Sequence, residues 1–86
     1  MHDDCDIDDR LRRSLRILRA WLWMMRLTRD PDEVAMLLRT EARALVALGR
    51  KYPSKARQIG RLIVGYHRAL EKLKGMFPPP DVKLPA

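Results

Sequence analysis

Between residues 7 and 27 apolar side chains return every three or four positions, and Leu11, Leu15, Leu18, Leu22 and Met25 form the centre of the pattern. That spacing is the period of an α-helix with one apolar side. On a projection at about 100° per residue, Ile7, Ile17, Trp21 and Met24 widen the stripe to roughly half the circumference, with Trp21 at its edge. An arc that wide predicts contact with two helices, or with one helix and something else. Opposite it, Arg12, Arg16, Arg19 and Arg26 fall in one line, and Trp23 falls inside that line.

Punctuation sets the ends of this helix and of two more. Asp6 to Asp9 offer capping oxygens and put negative charge where the helix dipole favours it, so the helix is expected from about Asp8 to Leu27. Residues 1–7 then form an acidic, disordered leader. Thr28-Arg29-Asp30-Pro31-Asp32-Glu33 is a restart signal: Asp30 caps, Pro31 suits the first helical position, and Glu33 has capping-box spacing. The second helix is expected to reach Leu48, with Gly49 in the left-handed conformation that closes many helices. Its buried side is Val34, Leu37, Leu38, Leu45 and Leu48. Glu41 projects into the middle of that side, which predicts an ion pair with Arg10 or Arg13 of the first helix. Tyr52-Pro53-Ser54 is the second break, with Ser54 as cap.

The third helix is expected to end near Lys74, stopped by Gly75. It buries Ile59, Leu62, Ile63, Tyr66, Leu70 and Leu73, and turns Arg57, Arg61, Arg68 and Lys72 outward. Gly60 and Gly65 each cost a helix about 1 kcal/mol relative to Ala. Close packing against another backbone, or a break near Gly65, would account for them. Pro78, Pro79 and Pro80 predict an extended polyproline tail over residues 76–86. The expected architecture is all-α: a small three-helix domain over residues 8–75 with a Pro-rich C-terminal tail.

Charge changes this picture more than composition does. The 86 residues carry 18 Lys and Arg against 11 Asp and Glu, a net +7. Residues 1–9 hold five Asp and no Lys or Arg, which leaves +12 on residues 10–86. A basic body suggests nucleic acid, an acidic protein surface or anionic lipid as partner. The longest apolar run, Ala20 to Met25, and five-residue runs such as Val34 to Leu38 fall far short of the roughly 20 residues that span a bilayer. The start of the chain has no apolar run of signal-peptide type, and one cysteine, Cys5, makes no internal disulfide. A reducing, cytoplasmic setting is the expectation.

The chemistry of an enzyme is missing. His2 and His67 are the histidines, and beside His67 only Glu71 stands at helical spacing, without a nucleophile to complete a working set. His2 and Cys5 with leader aspartates fall short of a metal site, and the scattered glycines make no phosphate loop. No catalytic residue, metal or cofactor is expected. The first helix alone has the look of a cationic membrane-surface helix, but two further amphipathic helices offer it an internal partner. A Trp among arginines belongs to the residue types that dominate protein-binding surfaces, unless the guanidinium groups stack on it. The expected partner-binding residues are therefore Trp23, Arg12, Arg16, Arg19 and Arg26. The alternative is a small DNA-binding protein that neutralises phosphates with Arg57, Arg61, Arg68 and Lys72. In that reading Gln58 to Leu70 has some helix-turn-helix flavour.

As a whole chain, four features carry a resemblance: the length, the start Met1-His2-Asp3-Asp4-Cys5-Asp6, the Arg/Leu/Trp first helix, and Gly65-Tyr66-His67-Arg68-Ala69-Leu70. In these the chain resembles the small helical antiactivators of rhizobial mobile genetic elements, the QseM type. The resemblance implies a protein that binds quorum-sensing transcription activators of the LuxR/TraR class. It would block excision and transfer of an integrative and conjugative element by stoichiometric sequestration of the activator.

Overall fold

The computed structural model describes residues 2–76, with side chains from Asp6 onward. It is all-α: α1 spans His2–Thr28, α2 Pro31–Lys51 and α3 Ala56–Met76, with a 3-10 turn at Pro53–Lys55 before α3. The two links are short, so each helix runs antiparallel to the one before it and α1 lies parallel to α3. α2 and α3 form the most extensively packed pair, and α1 lies against both. That arrangement accounts for the width of the apolar arc on α1.

The helix ends differ from expectation in ways that trace to local chemistry. α1 begins at His2, not near Asp8, so residues 2–7 are its first turns and not a disordered leader. Ile7, 2% exposed, anchors this end of the helix in the core. At the other end Arg29 takes a positive φ of 54°, and its N–H reaches Met25 O at 2.9 Å. Asp30 caps α2 as expected, accepting from the N–H groups of Asp32 at 3.1 Å and Glu33 at 3.2 Å. The Asp30 N–H goes to Thr28 Oγ1 at 3.2 Å, the role that a capping box gives to Glu33.

Gly49 does not close α2, which continues to Lys51 and ends at Tyr52, whose N–H reaches Leu48 O at 2.8 Å. Pro53 stops the helix instead, because a proline disfavours helical backbone at the residue before it. Ser54 sits inside the 3-10 turn, and no side chain caps that turn. Gly75 lies within α3, which runs on to Met76. Residues 77–86, where the polyproline tail is expected, lie outside the described residues.

The core runs the length of all three helices. On α1 the buried line is Ile7, Leu11, Ser14, Trp21 and Met25, with Leu18 half-buried between them. Its spacing of four and three is the expected period, but its centre is turned toward Trp21. Trp21 is therefore a core residue and not an edge residue, and Leu22, expected near the centre, is 45% exposed. Helix α2 contributes Val34, Leu38, Ala42 and Leu45, and α3 contributes Ile59, Leu62, Tyr66, Ala69 and Leu73. Leu37 was expected in this core and is 37% exposed. Leu48, Ile63 and Leu70 pack against it only partly buried.

α3 passes unbroken through both of its interior glycines. At Gly65 the reason is close packing: a Cβ there would lie 2.6 Å from Leu18 Cδ2 of α1. Gly60 has nothing within 4 Å of the corresponding position, so packing gives no account of it. Gly60→Ala is accordingly expected to stabilise the fold by about 0.5–1 kcal/mol. Arg29→Gly should add a similar amount by relieving the left-handed backbone. Each is expected to raise the thermal midpoint by about 2–8 °C, and an unchanged or lower midpoint would contradict the geometry.

Candidate functional site

A side chain becomes a candidate contact when the fold leaves it outside while its chemistry favours burial or pairing. On α1 that residue is Trp23. It is 64% exposed, on the side of the helix away from Leu11, Leu18 and Met25. Arg12, Arg16, Arg19 and Arg26 are exposed around it, as the sequence period requires. No guanidinium stacks on its ring: among the described residues the cation-ring contact is Lys51 Nζ over Tyr52, at 5.6 Å. Leu27, 72% exposed, lies one turn further along, so the arginines share their face with a small apolar patch. Arg12 is held by Asp9 at 3.1 Å, with both side chains largely in solvent. Such a pair contributes little to stability.

The residues named for the nucleic-acid alternative, Arg57, Arg61, Arg68 and Lys72, are all exposed on one side of α3. None makes an ion pair with another described residue. The helix-turn-helix expectation fails, because residues 58–70 form one uninterrupted helix with no turn between two halves. Gly65 serves the contact with Leu18 and not a bend. His67 is exposed on the same helix. Among the described residues no three of His, Cys, Asp and Glu are grouped to hold a metal ion. The His2 and Cys5 side chains lie outside those described. No described helix is long and apolar enough to cross a membrane.

Beneath this surface lies a polar cluster that spans all three helices. Glu41 of α2, 8% exposed, faces α1. Arg10 supplies a two-pronged contact: Nη2 donates to Glu41 Oε1 at 2.9 Å, and Nη1 donates to Oε2. Arg10 Nη1 also reaches Ser14 Oγ at 2.7 Å, and the Ser14 hydroxyl donates to Glu41 Oε2. Tyr66 of α3 closes the cluster, its phenol donating to the Ser14 carbonyl at 2.5 Å. No buried side-chain nitrogen or oxygen among the described residues lacks a partner. Of the two partners expected for Glu41, Arg10 makes the pair, and Arg13 stays exposed. Ser14 and Tyr66 were not foreseen as members. The signal for Ser14 was available in the sequence: a serine at helical spacing between Leu11 and Leu18 of the apolar stripe.

The electrostatics follow from the geometry. Burial pushes the Glu41 carboxyl upward, but the hydrogen bonds from Arg10 and Ser14 and the charges of Arg10 and Arg13 outweigh it, leaving a net lowering. The Arg10 guanidinium is raised by its bond to Glu41, against the opposing effect of burial. Burial and the nearby Glu41 charge push the Tyr66 phenol above its ordinary value. A carboxyl held lower in the fold than in the unfolded chain adds stability above its unfolded value. That stability is lost as pH falls through the folded value. The thermal midpoint is therefore expected to drop as pH falls below about 4. In Glu41→Leu that drop should be shallower, and an identical acid dependence in both chains would rule out this source.

The chemistry of the cluster is structural, since every member is already engaged and Arg10 is the member that reaches the surface, where it borders an open depression with Asp6, Asp9 and Arg13. The candidate surface is therefore the Trp23 face of α1, with the basic side of α3 beside it. Compared with protein-family models, curated proteins and solved structures, the chain shows no match.

Proposed function

We propose that this chain is a non-catalytic protein-binding module, an antiactivator that sequesters a transcription activator of the LuxR/TraR class. In that role it would repress excision and transfer of a mobile element. The observation that carries the binding reading is Trp23. It is a large aromatic at 64% exposure amid four arginines, on a helix whose core side is otherwise filled. Trp and Arg are enriched at the centres of protein interfaces, where a few such residues supply most of the affinity. The identity of the partner class follows from the family resemblance. Binding by the α1 face would block DNA engagement or dimerisation of the activator.

A second reading, a small basic DNA-binding protein, is favoured by four exposed bases on one side of α3, none ion-paired to another described residue. Mobility shift at two salt concentrations separates the two. An antiactivator leaves DNA unshifted and removes the shift caused by the activator. A DNA binder shifts random DNA itself, with affinity that falls steeply as salt rises. A shift by the chain alone, unaffected by Trp23→Ala, would sink the antiactivator reading.

A further inference from the structure

The parallel pair α1 and α3 leaves a groove whose composition matches neither a core nor a solvated face. Leu11, Arg12 and Leu15 of α1 border one depression together with Gln58, Arg61 and Leu62 of α3. Further along, Leu18 meets Gly65. Both pairings fit one register, in which each α1 residue stands beside the α3 residue about 47 positions later. Because Leu18 fills the space over Gly65, Leu15 and Leu22 are left above it as an apolar floor. Leu15 is half-buried and Leu22 is 45% exposed.

The rims of the groove are basic on both sides. On α1, Arg12, Arg19 and Arg26 recur every seven residues, one position round the helix from the floor. On α3, Arg61 and Arg68 repeat the same interval, and Lys72 comes level with Arg26 in that register. All six are exposed. Apart from Arg12 with Asp9, none is ion-paired to another described residue. A seven-residue repeat is nearly straight along a helix, so floor and rims run as parallel rows, about 21 Å from Arg12 to Arg26, about 16 Å from Arg61 to Lys72 and about 10 Å from Leu15 to Leu22.

We propose that the α1/α3 groove is a docking site for an acidic amphipathic helix of a protein partner. This deepens the protein-binding reading and rests on it. A helix of about four turns fits the length of the longer, α1 rim. Its apolar stripe would cover Leu15 and Leu22, and flanking Glu or Asp would meet the two rims, which is the helix-in-groove mode of recognition. Charge complementarity selects this occupant. A nucleic-acid backbone would satisfy the rims but set phosphates over an apolar floor. A second copy carries its exposed described acids in the first turns of α1, at the start of α2 and singly at Glu71, not along one helix face that could meet both rims. Residues 77–86 balance Asp81 with Lys83 and bring no complementary charge.

The test titrates the full chain with a stapled helical peptide of about 16 residues carrying a Leu stripe flanked by Glu. Amide resonances and labelled-peptide anisotropy are followed. Resonances along α1 and α3 are expected to move while those on the outer side of α2 stay in place. Arg61→Glu with Arg68→Glu, and separately Leu22→Ser, should each weaken binding about tenfold or more while the thermal melt is retained. Equal binding of the same stripe flanked by Lys would overturn the proposal, as would absence of binding up to millimolar peptide. So would displacement of the peptide by duplex DNA held at the same residues, or groove shifts that grow with protein concentration alone. About tenfold tighter binding after removal of residues 77–86 would name the tail as occupant and also overturn it. The activator serves as a separate probe. Its capture, with affinity unchanged by the groove substitutions, overturns the groove and leaves the module standing. Peptide binding without capture of the activator supports the groove and removes the activator as partner.

Discussion

Glu41→Ala is expected to lower the unfolding free energy by about 3 kcal/mol, which for a domain this size moves the thermal midpoint down by about 12–24 °C. The substitution strips Arg10 of both its contacts to the carboxylate and takes the acceptor from the Ser14 hydroxyl. Breaking a buried ion pair from one side is costly because the remaining charge keeps its desolvation penalty. The value sits at the low end of the usual range because the Arg10 side chain retains 28% exposure and can recover some water. Glu41→Leu should be milder, since it fills the site with apolar volume beside Leu38 and Leu45. Thermal melts of both variants check this. A midpoint indifferent to Glu41→Ala would show that the cluster does not hold α1 against α2.

The two tryptophans are expected to part company. Trp21 is 6% exposed and belongs to the core, so Trp21→Ala should cost about 3–5 kcal/mol and leave a domain this small largely unfolded. Trp23→Ala should cost about 1 kcal/mol or less, as surface substitutions do. Its effect falls on binding: the complex with the activator should weaken by about 2 kcal/mol or more if Trp23 anchors the interface. A melt and a pull-down on each variant separate the roles. Unfolding of Trp23→Ala would overturn the orientation of α1. Loss of neither fold nor binding would move the interface away from this face.

The number of helices, their two breaks and their outward sides were legible in the sequence. Each depends on local rules: the 3.6-residue period, Asp30-Pro31 at a helix start, and Pro53 after a helix. Trp23 and the arginines around it were placed correctly for the same reason, since a residue opposite the apolar stripe stays outside whichever partner covers the stripe. Glu41 was legible as a buried acid because a charge in an apolar sector needs a counter-charge within reach.

What the tertiary structure decided is the rotation of each helix within its permitted arc. A stripe half a circumference wide leaves several centres open, and only the position of the second and third helices fixes one. That choice put Trp21 in the core and left Leu22 and Leu37 partly in solvent. It also selected Arg10 over Arg13, brought Ser14 and Tyr66 into the cluster, and gave Gly65 its reason in Leu18. These contacts join residues 27 to 52 positions apart, and a one-dimensional period carries no information about which faces meet across such distances.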